Sequence, residues 1–175
     1  MKKIFIALLL LSGSIALHSQ EQKWETNINK AIEKSNKTNK PLFLFFTGSD
    51  WCGWCIRLQK EVFKTPEFST WSEKNVVLVE LDYPRAAPQT DEIKTQNAGL
   101  QQAFQIQGYP TVWIVNADIK DGKPNFQQLG KTGYVAGGPA TWIAGADEIL
   151  KNNTKIAPPK LSKPVKKAKI KSVKA

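Results

Sequence analysis

Apolar and polar positions form blocks along the chain, and these blocks predict four strands. Leu42–Thr47 is a continuous apolar run too short for a helix, which is typical of a strand buried on both faces. Val76–Asp82 is a second such run, with Glu80 as a charge inside it. Thr111–Val115 predicts a third strand, and Phe126–Lys131, after an Asp-Gly turn signal, predicts its hairpin partner.

Segments with helical periodicity separate these strands. Crossover helices join the first strands, so those strands should be parallel. We therefore predict an α/β fold with a central four-stranded mixed sheet and helices on both faces. The predicted helices span about 24–36, 52–62, 66–74, 91–105 and 140–152.

The two ends of the chain differ from its centre. Two lysines and an apolar run, Ile4–Leu11, open the chain and are followed by small residues, which is typical of an export signal. The run is shorter than the roughly 20 residues of a membrane helix, although a retained anchor is the alternative. We predict a signal peptide over residues 1–19, a domain over 20–152 and a disordered tail over 153–175. The protein is then exported, to the periplasm or cell envelope.

The net charge of +10 belongs to the ends. Residues 20–150 hold 14 basic and 15 acidic side chains, whereas residues 151–175 hold nine lysines and no acid. Nucleic-acid binding is not expected, because its basic patches lie on a folded domain or an adjoining arm. The lysine tail is predicted either to contact an anionic surface or to act only as a solvated segment.

Cys52 and Cys55 are the only cysteines, three positions apart at the start of a predicted helix. This spacing brings both sulfurs together across one helical turn. A purely structural bridge over so short a loop would stabilise little. Structural zinc takes four protein ligands, and the only histidine, His18, lies in the export segment, so a metal would need two chains to pool cysteines. We predict a redox-active disulfide, no metal and no cofactor.

The strand followed by Trp51–Cys55, with Gly108–Thr111 (Gly-Tyr-Pro-Thr) before the hairpin, resembles the thioredoxin fold. The resemblance covers roughly residues 24–150. The segment Phe46–Cys55 is most similar to exported bacterial thioredoxin-like proteins, including relatives of the C-terminal domain of the thiol:disulfide interchange protein DsbD. A Cys-x-x-Cys motif alone is weak, but the motif, the strand before it and the Tyr-Pro pair at the expected distance are together specific.

The two cysteines have unequal predicted roles. Cys52 lies at the helix start, where free amides and the helix dipole favour a thiolate, so it is the expected nucleophile at the exposed rim. Cys55 shares a helix face with Leu58 and Val62, so it should point inward and resolve the mixed disulfide.

Four further residues are candidates for substrate binding. The resemblance implies that the bond before Pro110 is cis, which would present the backbone of Tyr109 to an extended substrate; an ordinary trans turn is the alternative. Trp51 and Trp54 are apolar groups beside the reactive sulfur and candidates for client docking. For Trp51, packing that orients the loop is an equal alternative.

The chain departs from its relatives at one position. Many thioredoxins carry a buried carboxylate six residues before the first cysteine, and that position here is Phe46. Glu80, in the adjacent predicted strand, is the candidate proton carrier, because a buried carboxylate has a raised pKa and can act as a base. The alternative is that Glu80 faces solvent. Asp50 is interpreted as an exposed turn or cap residue.

These features predict an exported thiol-disulfide oxidoreductase that acts on cysteine-containing proteins. A reductase or isomerase is favoured, with an envelope thiol reductant or oxidant as its redox partner. The alternative is a non-catalytic binding or chaperone module in which Cys52 and Cys55 form a passive bridge.

Overall fold

The computed structural model describes residues 22–154. The predicted signal peptide lies outside the described residues, as does the predicted tail except for Asn153 and Thr154. The described part contains, in order, α1 (Ile28–Thr38), β1 (Leu42–Thr47), α2 (Gly53–Leu58), α3 (Pro66–Asn75), β2 (Val77–Asp82), α4 (Asp91–Ala103), β3 (Thr111–Lys120), β4 (Lys123–Thr132) and α5 (Gly138–Leu150). A π-helical turn, Gln59–Phe63, continues α2. Within this part, none of the helices is long and apolar enough to cross a bilayer.

One mixed sheet with the strand order β2-β1-β3-β4 forms the centre of the fold. β1 pairs in parallel with β2 and antiparallel with β3, and β3 and β4 form a hairpin. The parallel pair follows from the helical crossover between β1 and β2. The predicted four-stranded mixed sheet with flanking helices is thus confirmed.

The sheet separates two hydrophobic clusters. All six residues of β1 are buried, and alternate residues point to opposite faces. Phe43 and Phe45 belong to the cluster that contains both cysteines and side chains of α2, α3 and α5. Leu44 and Phe46 belong to the cluster beneath α1 and α4. We call these the cysteine-side and the opposite cluster.

The first helix begins later than its periodicity predicts. The side chain of Asn27 accepts hydrogen bonds from two amides of the first turn, so α1 starts at Ile28. Trp24 instead lies in an extended segment and packs its ring on the aromatic residues of the cysteine-side cluster. The next residue, Glu25, forms a parallel bridge with Val79 at the edge of β2. Trp24 therefore fits the apolar spacing of α1 because it packs in the core, although it lies outside the helix.

The β3–β4 hairpin is longer than predicted. Both strands have ten residues, whereas the apolar pattern marks only five or six. The outer part of the hairpin is exposed, so polar residues occupy it and the apolar signal is lost. Asp121 and Gly122 have positive φ angles, as a two-residue hairpin turn requires.

Candidate active site

Cys52 and Cys55 form a disulfide at the start of α2, with their Cα atoms 5.2 Å apart. Cys52 is the N-cap residue of the helix, and its sulfur accepts a hydrogen bond from the backbone amide of Cys55 at 3.2 Å. The chain reaches this position directly from the end of β1 through the turn of residues 48–51. The strand, the turn and the cap together hold the two sulfurs at one edge of the sheet.

The two cysteines are more alike in burial than the sequence predicts. Cys55 is fully buried, as expected, but Cys52 is only 5% exposed rather than lying open at the rim. The amide of Cys52 donates to the carbonyl of Gly48 at 2.9 Å. This bond folds the turn back and brings Cys52 against the cysteine-side cluster.

The turn before the cysteines is fastened to the carboxyl end of β2 and to the loop that follows it. Ser49 donates from its amide and its hydroxyl to the carboxylate of Asp82, at 2.8 and 2.6 Å. The indole N–H of Trp51 donates to the carbonyl of Tyr83 at 2.8 Å. These bonds span more than 30 positions of sequence, so they fix the turn relative to the sheet.

Asp50 ties the same loop. Its exposed carboxylate accepts from the backbone amides of Arg85 at 3.0 Å, Ala86 at 2.7 Å and Ala87 at 3.3 Å. The bond from the Arg85 amide contributes most to lowering the pKa of Asp50, because these donors favour the charged form. Asp50 is therefore an exposed turn residue, as interpreted, but it caps a distant loop rather than a helix.

Tyr109 and Pro110 lie beside the turn, and the peptide bond between them is cis. The ring of Tyr109 meets the Trp51 ring edge-on, with 5.5 Å between centroids. The Tyr109 hydroxyl accepts from the side-chain amide of Gln101 at 2.9 Å, and burial raises the pKa of Tyr109. The structure thus brings Trp51, Tyr109 and the cysteines together. The pairing of Tyr109 with a substrate strand stays a prediction.

Trp54, between the cysteines, is 55% exposed. Its ring lies 5.0 Å from the ring of Tyr134, and the guanidinium of Arg57 lies over both rings. Glu61 contacts both Arg57 and Tyr134. Its carboxylate forms an ion pair with Arg57 at 2.7 Å and accepts a hydrogen bond from the Tyr134 hydroxyl at 2.7 Å. The Tyr134 bond contributes most to lowering the pKa of Glu61.

The sequence did not predict a place in the site for Tyr134, Arg57 or Glu61. The i,i+4 spacing of Arg57 and Glu61 is a signal for an ion pair on one helical face, and Arg57 lies three positions after Trp54. Nothing in the sequence places Tyr134, which comes from the loop after β4. Its position depends on tertiary packing alone.

Glu80 lies opposite Phe45 in the β1–β2 pair. It therefore faces the cysteine side of the sheet, as does Leu78, which lies two positions earlier in β2. Burial is the largest cause that raises the pKa of Glu80, followed by the charge of Asp82, whereas Lys64 acts in the opposite direction. The side chain is half-buried within β2, and its role as proton carrier stays a prediction.

The position of Phe46 explains why no carboxylate is found there. Phe46 points into the opposite cluster, where its ring stacks on Tyr83 at 6.4 Å between centroids. On the cysteine side, the strand ends at Thr47, whose buried hydroxyl has no hydrogen-bond partner among the described residues. Within residues 22–154, no group of three or more His, Cys, Asp or Glu side chains is arranged to hold a metal ion.

The fold and this cysteine geometry agree with comparisons to known proteins. The family model described as a thioredoxin-like domain matches residues 28–138. The disulfide bond reductase DsbH of Chlamydia pneumoniae is 33% identical over 129 residues, which cover 74% of this chain and 73% of DsbH. The thioredoxin-related protein DsbJ of the same organism is 30% identical over 157 residues, which cover 83% of this chain but only 44% of DsbJ.

A solved structure of a DsbH oxidoreductase superposes with a TM-score of 0.70 at 29% identity, covering 81% of this chain and 92% of that one. The chain therefore belongs to the thioredoxin-like domain family. It is a thiol-disulfide oxidoreductase with a Cys-x-x-Cys pair, Cys52 and Cys55, at disulfide distance.

Proposed function

We propose that this protein is an exported reductase of protein disulfides, with Cys52 as the attacking thiolate and Cys55 as the resolving thiol. The observation that carries the proposal is the disulfide at the start of α2, where Cys52 caps the helix and Cys55 is fully buried. The similarity to a protein named disulfide bond reductase supports the direction of electron flow.

The reaction begins with the reduced pair. The Cys52 thiolate attacks one sulfur of a client disulfide, a mixed disulfide forms, and one client thiolate leaves. Cys55 then loses its proton and attacks the Cys52 sulfur, which releases the second client thiolate. Two electrons pass from the cysteine pair to the client, and the pair ends as the disulfide seen here. An envelope thiol reductant must then reduce it again.

The Cys52 thiolate has two sources of stabilisation. Its sulfur lies within hydrogen-bond distance of the Cys55 amide, and amide donors favour the charged form of a side chain. It also occupies the amino end of the helical segment formed by α2 and the π-helical turn, where the helix dipole favours an anion. Both effects favour the thiolate at Cys52 over the thiol.

Glu80 is the proposed proton acceptor for Cys55. A fully buried thiol needs a base to form the thiolate that resolves the mixed disulfide. Glu80 is a carboxylate on the cysteine side of the sheet whose pKa is raised chiefly by burial, so its ionised form is a stronger base than an exposed glutamate. Direct transfer or transfer through a water molecule would serve this role equally.

The proposed client-binding surface consists of four residues around the disulfide: Trp51, Trp54, Tyr109 and Pro110. Trp54 is the most exposed of the aromatic residues next to the disulfide, so it can cover the apolar side of a client cysteine. The backbone of Tyr109 is proposed to pair with an extended client segment, as a strand edge does.

The proposal includes export and an organisation into a signal peptide (1–19), a thioredoxin-like domain (20–152) and a lysine-rich tail (153–175). The clients are then cysteine-containing envelope proteins. Mass spectrometry of the protein recovered from the envelope should give a mature chain that begins near Gln20. A chain that begins at Met1 would contradict export by cleavage.

Reduction of insulin by the purified protein, with dithiothreitol as electron donor, tests the function. We expect Cys52→Ser to abolish turnover, because Cys55, the only other cysteine, is fully buried and cannot attack a client disulfide in its place. Cys55→Ser should instead accumulate a mixed disulfide between Cys52 and envelope proteins. Full turnover by Cys52→Ser, or a failure of Cys55→Ser to form such adducts, would contradict the assigned roles.

The pH dependence of the resolving step tests Glu80 separately. In Glu80→Gln, release of a preformed mixed disulfide should slow and its pH profile should shift, whereas formation of that disulfide by Cys52 should not change. An unaltered profile would remove Glu80 from the mechanism.

A further inference from the structure

The guanidinium of Arg85 lies over the ring of Trp51, 4.5 Å from its centroid. Trp51 directly precedes Cys52, so a positive charge is placed at the border of the disulfide. Arg85 is exposed to solvent. Arg85 was not a candidate on sequence grounds, because it lies in a proline-containing loop 30 or more positions after the cysteines.

The backbone of Arg85 is held in place independently of its side chain. Asp50 accepts hydrogen bonds from the amides of Arg85, Ala86 and Ala87. These amides lower the pKa of Asp50, and the guanidinium of Arg85 is not among the causes. The Asp50 charge therefore fixes the loop and leaves the Arg85 side chain on the Trp51 ring.

Arg57 provides a contrast on the other side of the motif. It also lies over an aromatic ring next to the cysteines, that of Trp54, at 5.4 Å. Its charge, however, is paired with Glu61 at 2.7 Å. Among the ion pairs within residues 22–154, none includes Arg85. Of the two guanidiniums that flank the disulfide, only that of Arg85 keeps its charge available for a ligand.

We propose that Arg85 is a specificity-determining residue that binds an acidic side chain of the client next to the disulfide under attack. A guanidinium that lies over an aromatic ring can still donate from its edge N–H groups, and these groups match a carboxylate with two parallel hydrogen bonds. The preferred client is thus a polypeptide with Asp or Glu beside its cysteine. This inference rests on the proposed reductase function.

Two matched peptides test the inference. Both carry one disulfide between two cysteines, with Glu beside one cysteine in the first peptide and Gln in the second. The measurement is kcat/KM for reduction of each peptide by the whole protein at low ionic strength. We expect a ratio of about three- to fivefold in favour of the Glu peptide, the upper part of the range for an exposed ion pair. The ratio should fall as salt screens the charges.

Two variants locate the source of the preference. Arg85→Gln should bring the Glu/Gln ratio to about one, whereas Arg57→Gln, which removes a guanidinium already paired with Glu61, should leave the ratio unchanged. Equal rates for both peptides with the wild-type protein, or an equal loss of the ratio in both variants, would overturn the inference. If the wild-type protein reduces neither peptide, both the inference and the proposed function fail.

Discussion

Phe46 and Glu80 show how the alternation of side chains along a strand decides which of them lie on the cysteine side of the sheet. Phe46 lies six positions before Cys52, but it points into the opposite cluster. A carboxylate at that position would lie beneath α1 and α4, among apolar side chains. Glu80 faces the cysteine side from the neighbouring strand. Glu80 therefore places a titratable group on the side of the sheet where Cys55 is buried.

Replacing Glu80 by Gln should stabilise the folded protein at neutral pH. Burial and Asp82 raise the pKa of Glu80 in the folded state, so the folded protein binds this proton more tightly than the unfolded chain. Protonated Glu80 therefore adds to the free energy of unfolding. This contribution is complete below the usual Glu pKa of about 4.3 and is lost as the pH rises through the pKa that Glu80 has in the folded protein. Chemical denaturation should thus give Glu80→Gln a larger free energy of unfolding than the wild-type protein at pH 7. The difference between the two proteins should disappear below pH 4.

An exposed glutamate provides the control for this experiment. Glu73 lies on the solvent side of α3, so Glu73→Gln should follow the wild-type stability closely across the same pH range. A gap for Glu80→Gln that stays constant from pH 7 to pH 4 would show that the effect is not due to titration of residue 80.

Gly48→Ala should damage the active-site turn through a steric clash. A Cβ atom at this position would lie 2.3 Å from Cε2 of the Trp51 ring. The ring cannot move away without breaking its bond to the Tyr83 carbonyl and its contacts with Tyr109 and Arg85. We expect a loss of about 1–3 kcal/mol of unfolding free energy, as for other overpacked sites, and slower client reduction.

The matched control is Gly99→Ala. A Cβ at Gly99 meets nothing within 4 Å, and the residue lies within α4 on the exposed side. Alanine there should raise stability by about 0.5–1 kcal/mol, the usual cost of glycine in a helix. If both variants changed stability in the same direction, the clash with Trp51 would not be the cause.

At the scale of elements, the sequence predicts what is buried better than what is exposed. β1 is found at its predicted bounds, because burial on both faces leaves an unbroken apolar run. The predicted start of α1 and the predicted length of the hairpin are wrong. Trp24 is apolar because it packs in the core outside any helix, and the outer hairpin is polar because it is exposed. The cysteine pair is evident from spacing, whereas Tyr134 and Arg85 are brought to it only by the folded loops.

Asp50 holds the loop after β2 beside the turn that carries the cysteines. We expect Asp50→Ala to accelerate hydrogen exchange at the amides of Arg85, Ala86 and Ala87, since these donors lose their acceptor. Hydrogen-exchange mass spectrometry resolves this segment. The same change should reduce the peptide preference assigned to Arg85, because the guanidinium is then less firmly placed over Trp51.

Ser49→Ala separates the two anchors of the turn. This variant removes the hydroxyl bond to Asp82 at the end of β2 but leaves the Asp50 contacts in place. Exchange at residues 85–87 should therefore stay at the wild-type rate. Equal acceleration in both variants would mean that the whole turn loosens and that Asp50 has no separate role.

At the scale of the whole molecule, the disulfide and the fold are coupled through a thermodynamic cycle. The reduction potential of the Cys52–Cys55 pair in the folded protein differs from that in the unfolded chain by an amount set by the unfolding free energies of the oxidised and reduced forms. About 1.4 kcal/mol corresponds to about 30 mV for this two-electron couple. A protein that donates electrons needs a low potential, so its oxidised form should be the more stable one.

We therefore expect the oxidised protein to unfold at a higher denaturant concentration than the reduced protein. The structural reason lies at Cys55: the disulfide places no polar group at this fully buried position, whereas reduction leaves an S–H group there in the core. Urea denaturation of both forms measures the difference, and redox equilibration of the folded protein with glutathione or dithiothreitol measures the potential directly. The two values must agree through the cycle. A reduced form that is more stable than the oxidised form would assign the opposite direction, that of an oxidant, because an oxidising pair is one whose reduced state the fold stabilises.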